Sequence, residues 1–237
     1  MESPLSPELL ESLRSIDTCT VSNAIERLNV RMRNEGFTSA GLHCLFPDRA
    51  PVVGHAVTAR IHTSNPPVKG RAYVDRTDWW SHILTIPWPR IVVIQDADEV
   101  PGLGAFIGEV HANILQALDA VAIITNGAVR DLRTLHATRL QVFAGAVSVS
   151  HAYAHLVEFG QPVQIGSLKV RPGDVLHADV HGVICIPESI ASEIPRVAGE
   201  IAERDRMVVE LCKSSQFSLE ALGEIVQDVF PDHRPST

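Results

Sequence analysis

The sequence predicts an α/β fold, and three observations carry that expectation. Two short apolar runs rich in β-branched residues, 91–94 and 121–125, have the texture of buried strands. Between them Ile107, Val110, Ile114 and Leu118 mark one face of a helix over residues 108–119. Val57, Ala59 and Ile61 alternate with Thr58, Arg60 and His62, the period of two that identifies a half-buried strand.

Taken in order, residues 6–13 and 20–28 read as two short helices, the second from the helical spacing of apolar residues in 22–28. Residues 29–51 are mixed and glycine-containing and read as loop. The strand at 57–61 ends at Asn65-Pro66-Pro67, because proline offers no ladder donor. A strand at 90–95 follows, then the helix at 108–119 and the strand at 121–125, which Asn126-Gly127 breaks with turn chemistry. A helix from about Asp131 and a strand at 142–147 come next. Trp79-Trp80 and Trp88 fall in a proline-containing loop region and read as packing residues.

Beyond Gly160 the texture changes to strands without long helices: 163–170, a turn at Arg171-Pro172-Gly173-Asp174, then 175–178 and 183–186. Residues 187–211 read as a long amphipathic helix. A shorter helix at 219–230 takes Ser218 as its N-cap, and the polar tail from Pro231 is expected to fray. No repeat or linker divides the chain. The expected organisation is one domain over 1–237, with N-terminal helices and loop (1–50), an α/β core (51–187) and C-terminal helices (188–230).

Composition bounds the partners. The 237 residues carry 20 Lys+Arg against 28 Asp+Glu, a formal charge of −8 without a basic run. That balance argues against nucleic acid and against an anionic membrane surface. Cys19, Cys44, Cys185 and Cys212 lie far apart with no C-x-x-C, which suits reduced thiols and a cytoplasmic location. The first residues show neither a basic n-region nor an apolar h-region, and no apolar run has membrane-spanning length.

The chemistry gathers at Gly127-Ala128-Val129-Arg130-Asp131, just past the carboxyl end of a strand, where loops of open α/β sheets converge on ligands. Gly108-Glu109 precedes it at the start of a helix. The first-turn amides there, from Glu109 through Val110 to His111, suit a carboxylate or phosphate, and Gly108 permits close approach. Arg130 adds a planar donor fork. Asp131 and Glu109 are hard oxygen ligands appropriate to Mg²⁺ or Mn²⁺. The same residues also fit a structural role, with Asp131 capping its helix, Glu109 meeting a helix dipole and Arg130 pairing with either.

Glu109, twenty intervening residues and Arg130-Asp131 resemble the acid-x20-Arg-Asp motif of class II pyruvate aldolases. More closely, the chain resembles the RraA-like family of 4-hydroxy-4-methyl-2-oxoglutarate aldolases and oxaloacetate decarboxylases. The resembling motifs run in order along most of the chain: 17–24 at a helix entry, 54–59 at the first core strand, the Gly127–Asp131 signature, then 170–174, Ala178-Asp179 and Gly182-Val183 at closing β-turns. The resemblance implies a β/β/α swivelling-type domain assembled into homotrimers or homohexamers, with active sites between subunits. It implies a metal held by Asp131, partly through waters, and substrate contacts from Gly108, Glu109, Val110, His111 and Arg130. The implied chemistry is cleavage of a C–C bond in a small 2-oxo acid through pyruvate enolate, stabilised by the metal and Arg130, with Glu109, the first acid of the motif, holding a metal-bound water or reaching the metal directly.

Two positions depart from the family pattern. Glu109 is one methylene longer than the usual aspartate. Thr134 stands where the family's aldolases carry Asp or Glu, and Arg133 beside it further lowers the local negative charge. A rival metal site is offered by His151/His155 and His177/His181, both spaced i,i+4. The second pair lies in a strand-turn without a common face and the first lacks an adjacent glutamate, so solvated or interface histidines are expected. The runner-up function is a non-enzymatic regulator, since family namesakes bind and inhibit a ribonuclease. A menaquinone methyltransferase activity, another label in the family, lacks the glycine-rich nucleotide loop after the first strand.

Overall fold

The computed structural model describes residues 5–67 and 76–229. Strand β2 (Val52–His62) is the hub of the main sheet, because its two edges serve three partners. Along one edge β3 (Arg90–Asp96) runs parallel from His55 to Ile61. Along the other, β10 (Val175–Asp179) pairs with residues 52–55 and β7 (His155–Phe159) with residues 59–62, both antiparallel. Beyond β3 lie β5 (Ala120–Val129) and β6 (Gln141–Val147), each parallel to its neighbour, then the short β1 (His43–Cys44). β11 (Gly182–Ile186) closes the far side against β10, and β4 (Ala105–Ile107) pairs with the end of β5.

The middles of β3 and β5, residues 91–94 and 120–124, are apolar because both of their faces are covered. Val92, Ile94, Ile123 and Val129 join Trp79, Phe106 and Leu115 in one cluster. Ile91, Val93, Ala122 and Ile124 join Val163, Leu168 and Leu176 in another. Each such Val, Ile or Leu contributes about 1.5–3 kcal/mol on burial.

Helix α1 (Pro7–Arg14) starts where the Ser6 hydroxyl accepts the Leu9 amide, and α2 (Thr18–Leu28) where the Asp17 carboxylate accepts that of Thr20. Their apolar faces, Leu10, Leu13, Val21, Ala24 and Ile25, pack on Ile194, Val197 and Ala198 of α6 (Ile194–Lys213). α7 (Leu219–Val229) follows, with the Ser218 hydroxyl accepting the Ala221 amide at 3.0 Å.

Several expectations change, each for a physical reason. Asn126-Gly127 does not end β5, which continues to Val129 past a register shift. The Asn126 side chain accepts the Asp96 amide at 2.8 Å and donates to the Asp96 carbonyl at 2.9 Å. A side-chain amide thus stands in for a missing rung of the ladder. Residues 163–170 form a hairpin, β8 (Val163–Ile165) and β9 (Leu168–Val170), because Gly166 adopts a positive φ of 58°.

The tryptophan pair lies on a helix, α3 (Arg76–Ile83), where Trp79 is fully buried against Phe106, while Trp88 is half exposed. The long C-terminal helix is preceded by a 3-10 turn at Glu188–Ile190. β1, β4 and β7 were not anticipated, being short or weakly patterned. The end of the 219–230 helix and the expected fraying tail fall at or beyond the last described residue. All four cysteines are free, and among the described residues no helix is long and apolar enough to cross a membrane.

Candidate active site

The end of β5 is fastened to the end of β4 by the Arg130 amide, which donates to the Ile107 carbonyl at 2.9 Å. This brings Gly108 and Glu109, which follow β4, beside Arg130 and Asp131, which follow β5. Asp131 has left-handed backbone angles, φ 58° and ψ 42°, a region that aspartate and asparagine enter more readily than other side chains. The chain turns there from strand into α5 (Leu132–Ala137), and the Asp131 carboxylate is directed at a different helix, α4 (Glu109–Ala117).

Asp131 therefore does not cap its own helix with its side chain. Its Oδ2 accepts the Glu109 amide at 3.1 Å and the Arg130 Nε–H at 3.3 Å. A carboxylate at the amino end of α4 is favoured by the helix dipole by about 0.3–1 kcal/mol. Gly108, the N-cap of α4, has no side chain to compete. A Cβ there would lie 2.6 Å from Asp131 Oδ2 and 3.1 Å from Arg130 Cγ, so any side chain would push the Asp131 carboxylate from this position. The Arg130 and Asp131 side chains stay about one-third exposed, so their ion pair is weak and available to a ligand.

The remaining predicted residues are placed differently. Glu109 is exposed and Val110 is 72% exposed. His111 turns inward and stacks on Phe106, ring centroids 4.8 Å apart. Burial, reinforced by the positive charge of Arg76 and by His151, lowers the His111 pKa to about 4 against the opposing hydrogen bond with Phe106. The imidazole is therefore neutral at pH 7. The Thr134 hydroxyl donates to the Asp131 carbonyl at 3.0 Å and stabilises the first turn of α5.

The donor set fits a hard divalent cation in an open site. Among the described residues Oδ1 of Asp131 has no hydrogen-bond partner, and Glu109, whose amide bonds Asp131, carries a second carboxylate. Mg²⁺ and similar ions take one or two carboxylates and keep several waters. A closed protein cage does not fit, since no three His, Cys, Asp or Glu residues converge to hold a metal among the described residues. The histidine pairs do not supply one. His177 was expected at the surface but is fully buried, its Nε2–H donating to the Leu13 carbonyl at 3.1 Å and its Nδ1 facing the Thr18 hydroxyl at 2.9 Å. His181 pairs with Asp179, and His151 bonds the Ala105 carbonyl through Nδ1.

The sequence reading missed a second acidic turn. Asp98, after β3, accepts from the amides and hydroxyls of both Thr63 and Ser64 and meets His62 Nδ1, all at 2.7–2.8 Å. Burial opposes its ionisation, but this set of donors outweighs it and holds the carboxyl well below the usual range. Buried Asp96 accepts the Gly102 amide at 2.8 Å and shapes the loop that leads into β4 and Gly108. Its position after an apolar strand, like that of Arg130-Asp131, was the available signal.

Comparison with known proteins covers the same region. The model of the RraA-like family, Aldolase/RraA, matches residues 18–185. Protein DlpA of Legionella pneumophila is 22% identical over 198 residues, 82% of this chain but only 30% of that protein's length. A protein of Halalkalibacterium halodurans named "Putative 4-hydroxy-4-methyl-2-oxoglutarate aldolase" is 23% identical over 109 residues, 44% of this chain and 52% of that one. The structure of RraAS2 from Streptomyces coelicolor, described as an unusual member of the RNase ES inhibitor RraA protein family, matches with a TM-score of 0.67 at 21% identity. That match covers 86% of this chain and 97% of the other. At this identity the likeness is one of fold, and the fold is the one the sequence resemblance implied.

Proposed function

The chain belongs to the RraA-like family, and from that premise we propose that it is a divalent-metal-dependent lyase that cleaves a C–C bond in a small 2-oxo acid. The observation that carries this reading is the Asp131 carboxylate. One amide and one guanidinium fix its Oδ2, while Oδ1 has no partner among the described residues and lies beside a permanent cation. A protein that only binds another protein has no need of such a group.

Asp131 would hold the metal, with Glu109 as the adjacent acid, and the bound ion would supply a Lewis acid for the substrate's carboxylate and keto oxygens. The chain's own groups do the rest. The amino end of α4 binds the carboxylate. The Arg130 fork meets the negative charge that develops as the C–C bond breaks, so its contribution is larger in the transition state than in the bound substrate. His111, neutral at pH 7, packs the wall beside it. Retro-aldol cleavage of 4-hydroxy-4-methyl-2-oxoglutarate and decarboxylation of oxaloacetate both pass through pyruvate enolate, so one site serves both.

The assembly proposed with this activity is a homotrimer or homohexamer. Met207 and Val209 on α6 and Phe217 in the connection to α7 are each nearly half exposed, and Leu219 at the start of α7 is 81% exposed, an apolar set at the C-terminal helices. Light scattering at micromolar concentration should show three or six copies; a clean monomer would contradict it.

The test of the activity is pyruvate release from both substrates, with and without EDTA. Turnover should require Mg²⁺ or Mn²⁺, and Arg130→Lys, which keeps the charge but loses the fork, should lower kcat by about 10²–10³ with a smaller rise in KM. Absence of turnover on any 2-oxo acid at saturating metal would decide for the alternative, a non-enzymatic regulator that binds a ribonuclease.

A further inference from the structure

His62 and His155 stand directly opposite one another where β2 and β7 pair antiparallel, so their side chains share one face of the sheet. Both residues are half-buried, and their ring centroids are 6.2 Å apart. Each ring has its Nδ1 engaged by an acceptor. That of His62 meets Asp98 Oδ1 at 2.7 Å, and that of His155 meets the Tyr153 carbonyl at 2.7 Å. Asp98 is held ionised by Thr63 and Ser64, so neither acceptor has a proton to give. In the neutral imidazoles Nδ1 is therefore the donor and Nε2 carries the lone pair. Two such lone pairs cannot hydrogen-bond each other, and among the described residues neither Nε2 has a partner. A cation between them would satisfy both.

Proteins present imidazole to a metal in this way. The ring nitrogen that does not bind the ion donates to a carboxylate or a backbone carbonyl, which fixes both tautomer and direction. His62 has the first kind of support and His155 the second. Two metal–nitrogen bonds of about 2.0–2.1 Å together with the ring radii let one ion join centroids up to roughly 6.4 Å apart, so the observed separation is within reach. Imidazole suits Zn²⁺, Ni²⁺ and Cu²⁺, whereas Mg²⁺ keeps to oxygen. Arg76 lines the cavity beside His155 and disfavours an ion held by charge alone, which leaves nitrogen ligation as the source of affinity. We propose that His62 and His155 form a two-histidine site for a transition ion of the zinc class, completed by water, that clips the start of β7 to the end of β2. Its ligands are separate from Asp131 and Glu109, so it does not depend on the lyase reading.

Calorimetric titration of the metal-free protein with Zn²⁺ at about pH 7.5, above the ordinary imidazole range, should show one site per chain that excess Mg²⁺ does not block. Saturating Zn²⁺ should raise the thermal midpoint, because the ion binds the paired strands and not the unfolded chain. His62→Gln and His155→Gln should each weaken Zn²⁺ by at least about tenfold and remove the thermal shift, with metal-free melting close to that of the wild type. His181→Gln and Asp131→Asn should bind Zn²⁺ as the wild type does. X-ray absorption of the wild-type complex gives a reading that needs no variant: two imidazole nitrogens at about 2.0–2.1 Å, the other ligands oxygen. Zn²⁺ binding that survives either histidine substitution, or that is lost with His181→Gln or Asp131→Asn, would overturn the site. So would a sulfur ligand in the absorption spectrum, or no Zn²⁺ binding to the wild type at millimolar metal.

Discussion

Two aspartates occupy equivalent places in this molecule, each just beyond the carboxyl end of a parallel strand, and they are treated in opposite ways. Asp98 follows β3 and is enclosed, its side chain 5% exposed and both oxygens occupied by the turn at His62, Thr63 and Ser64. Asp131 follows β5, is one-third exposed and, among the described residues, has hydrogen bonds only at Oδ2. A carboxylate with a full set of short donors is a fixed part of the fold, and any cation would have to displace protein hydrogen bonds to reach it. A carboxylate held on one oxygen is oriented yet still available. The number of donors, more than burial or charge alone, separates the structural acid from the chemical one.

The sharpest way to break this comparison is to make the same substitution in both. Asp131→Asn should lower metal-dependent turnover by at least about 10²–10³ while the thermal midpoint barely moves, since asparagine tolerates the same backbone. Asp98→Asn should do the opposite, costing about 3 kcal/mol of stability in a denaturant titration, because an amide nitrogen would face donors inside the turn. Folded Asp98→Asn protein should keep its turnover. A stability loss at Asp131 with activity intact would make it a cap and nothing more.

Gly108→Ala is a finer probe, since the added Cβ meets Asp131 Oδ2 at 2.6 Å. Turnover should fall by roughly tenfold through a displaced carboxylate, with circular dichroism and melting unchanged. Wild-type kinetics in that variant would show that the Asp131 position is not critical.

The smallest effect concerns a buried group that resembles Asp98 in being fully engaged. Burial lowers the pKa of His177 from its ordinary 6.5, against the bond to Leu13 that favours the charged form. The unfolded chain therefore takes up the proton first. Stability from this group is complete above about pH 6.5 and is lost as pH falls below it, at up to about 1.4 kcal/mol per pH unit. His55, also lowered by burial, adds to the same window. His177→Gln should be less stable at pH 7 but show a shallower decline between pH 6.5 and 5; parallel curves would contradict the assignment.

What the sequence made legible follows from which interactions are local. The run at 121–125 and the acid after it placed Arg130-Asp131 at a strand end, because β-branched residues and their spacing act within a few positions. Asn126-Gly127 was misread for the same reason. Its local chemistry is that of a turn, but the amide of Asn126 is used by β3, thirty residues away in the chain. α3 was hidden because two adjacent tryptophans have no helical spacing of their own, and Trp79 becomes a core residue through contacts such as that with Phe106, distant in sequence. The pairing of Asp131 with α4 instead of α5 depends on a left-handed backbone that no pattern of residue types displays. His177 lies in β10, a strand in which every residue is buried, so alternation gave no warning.

The left-handed backbone of Asp131 also bears on how such a chain can change its occupation. Of the residues with a side chain, aspartate and asparagine accept this conformation at the lowest cost, and they differ by the charge alone. The replacement that removes the proposed metal ligand is thus also the one that the fold tolerates best. Charge and shape are separable at this position, so one scaffold can be carried forward with this acid or without it, its surfaces unaltered for other partners.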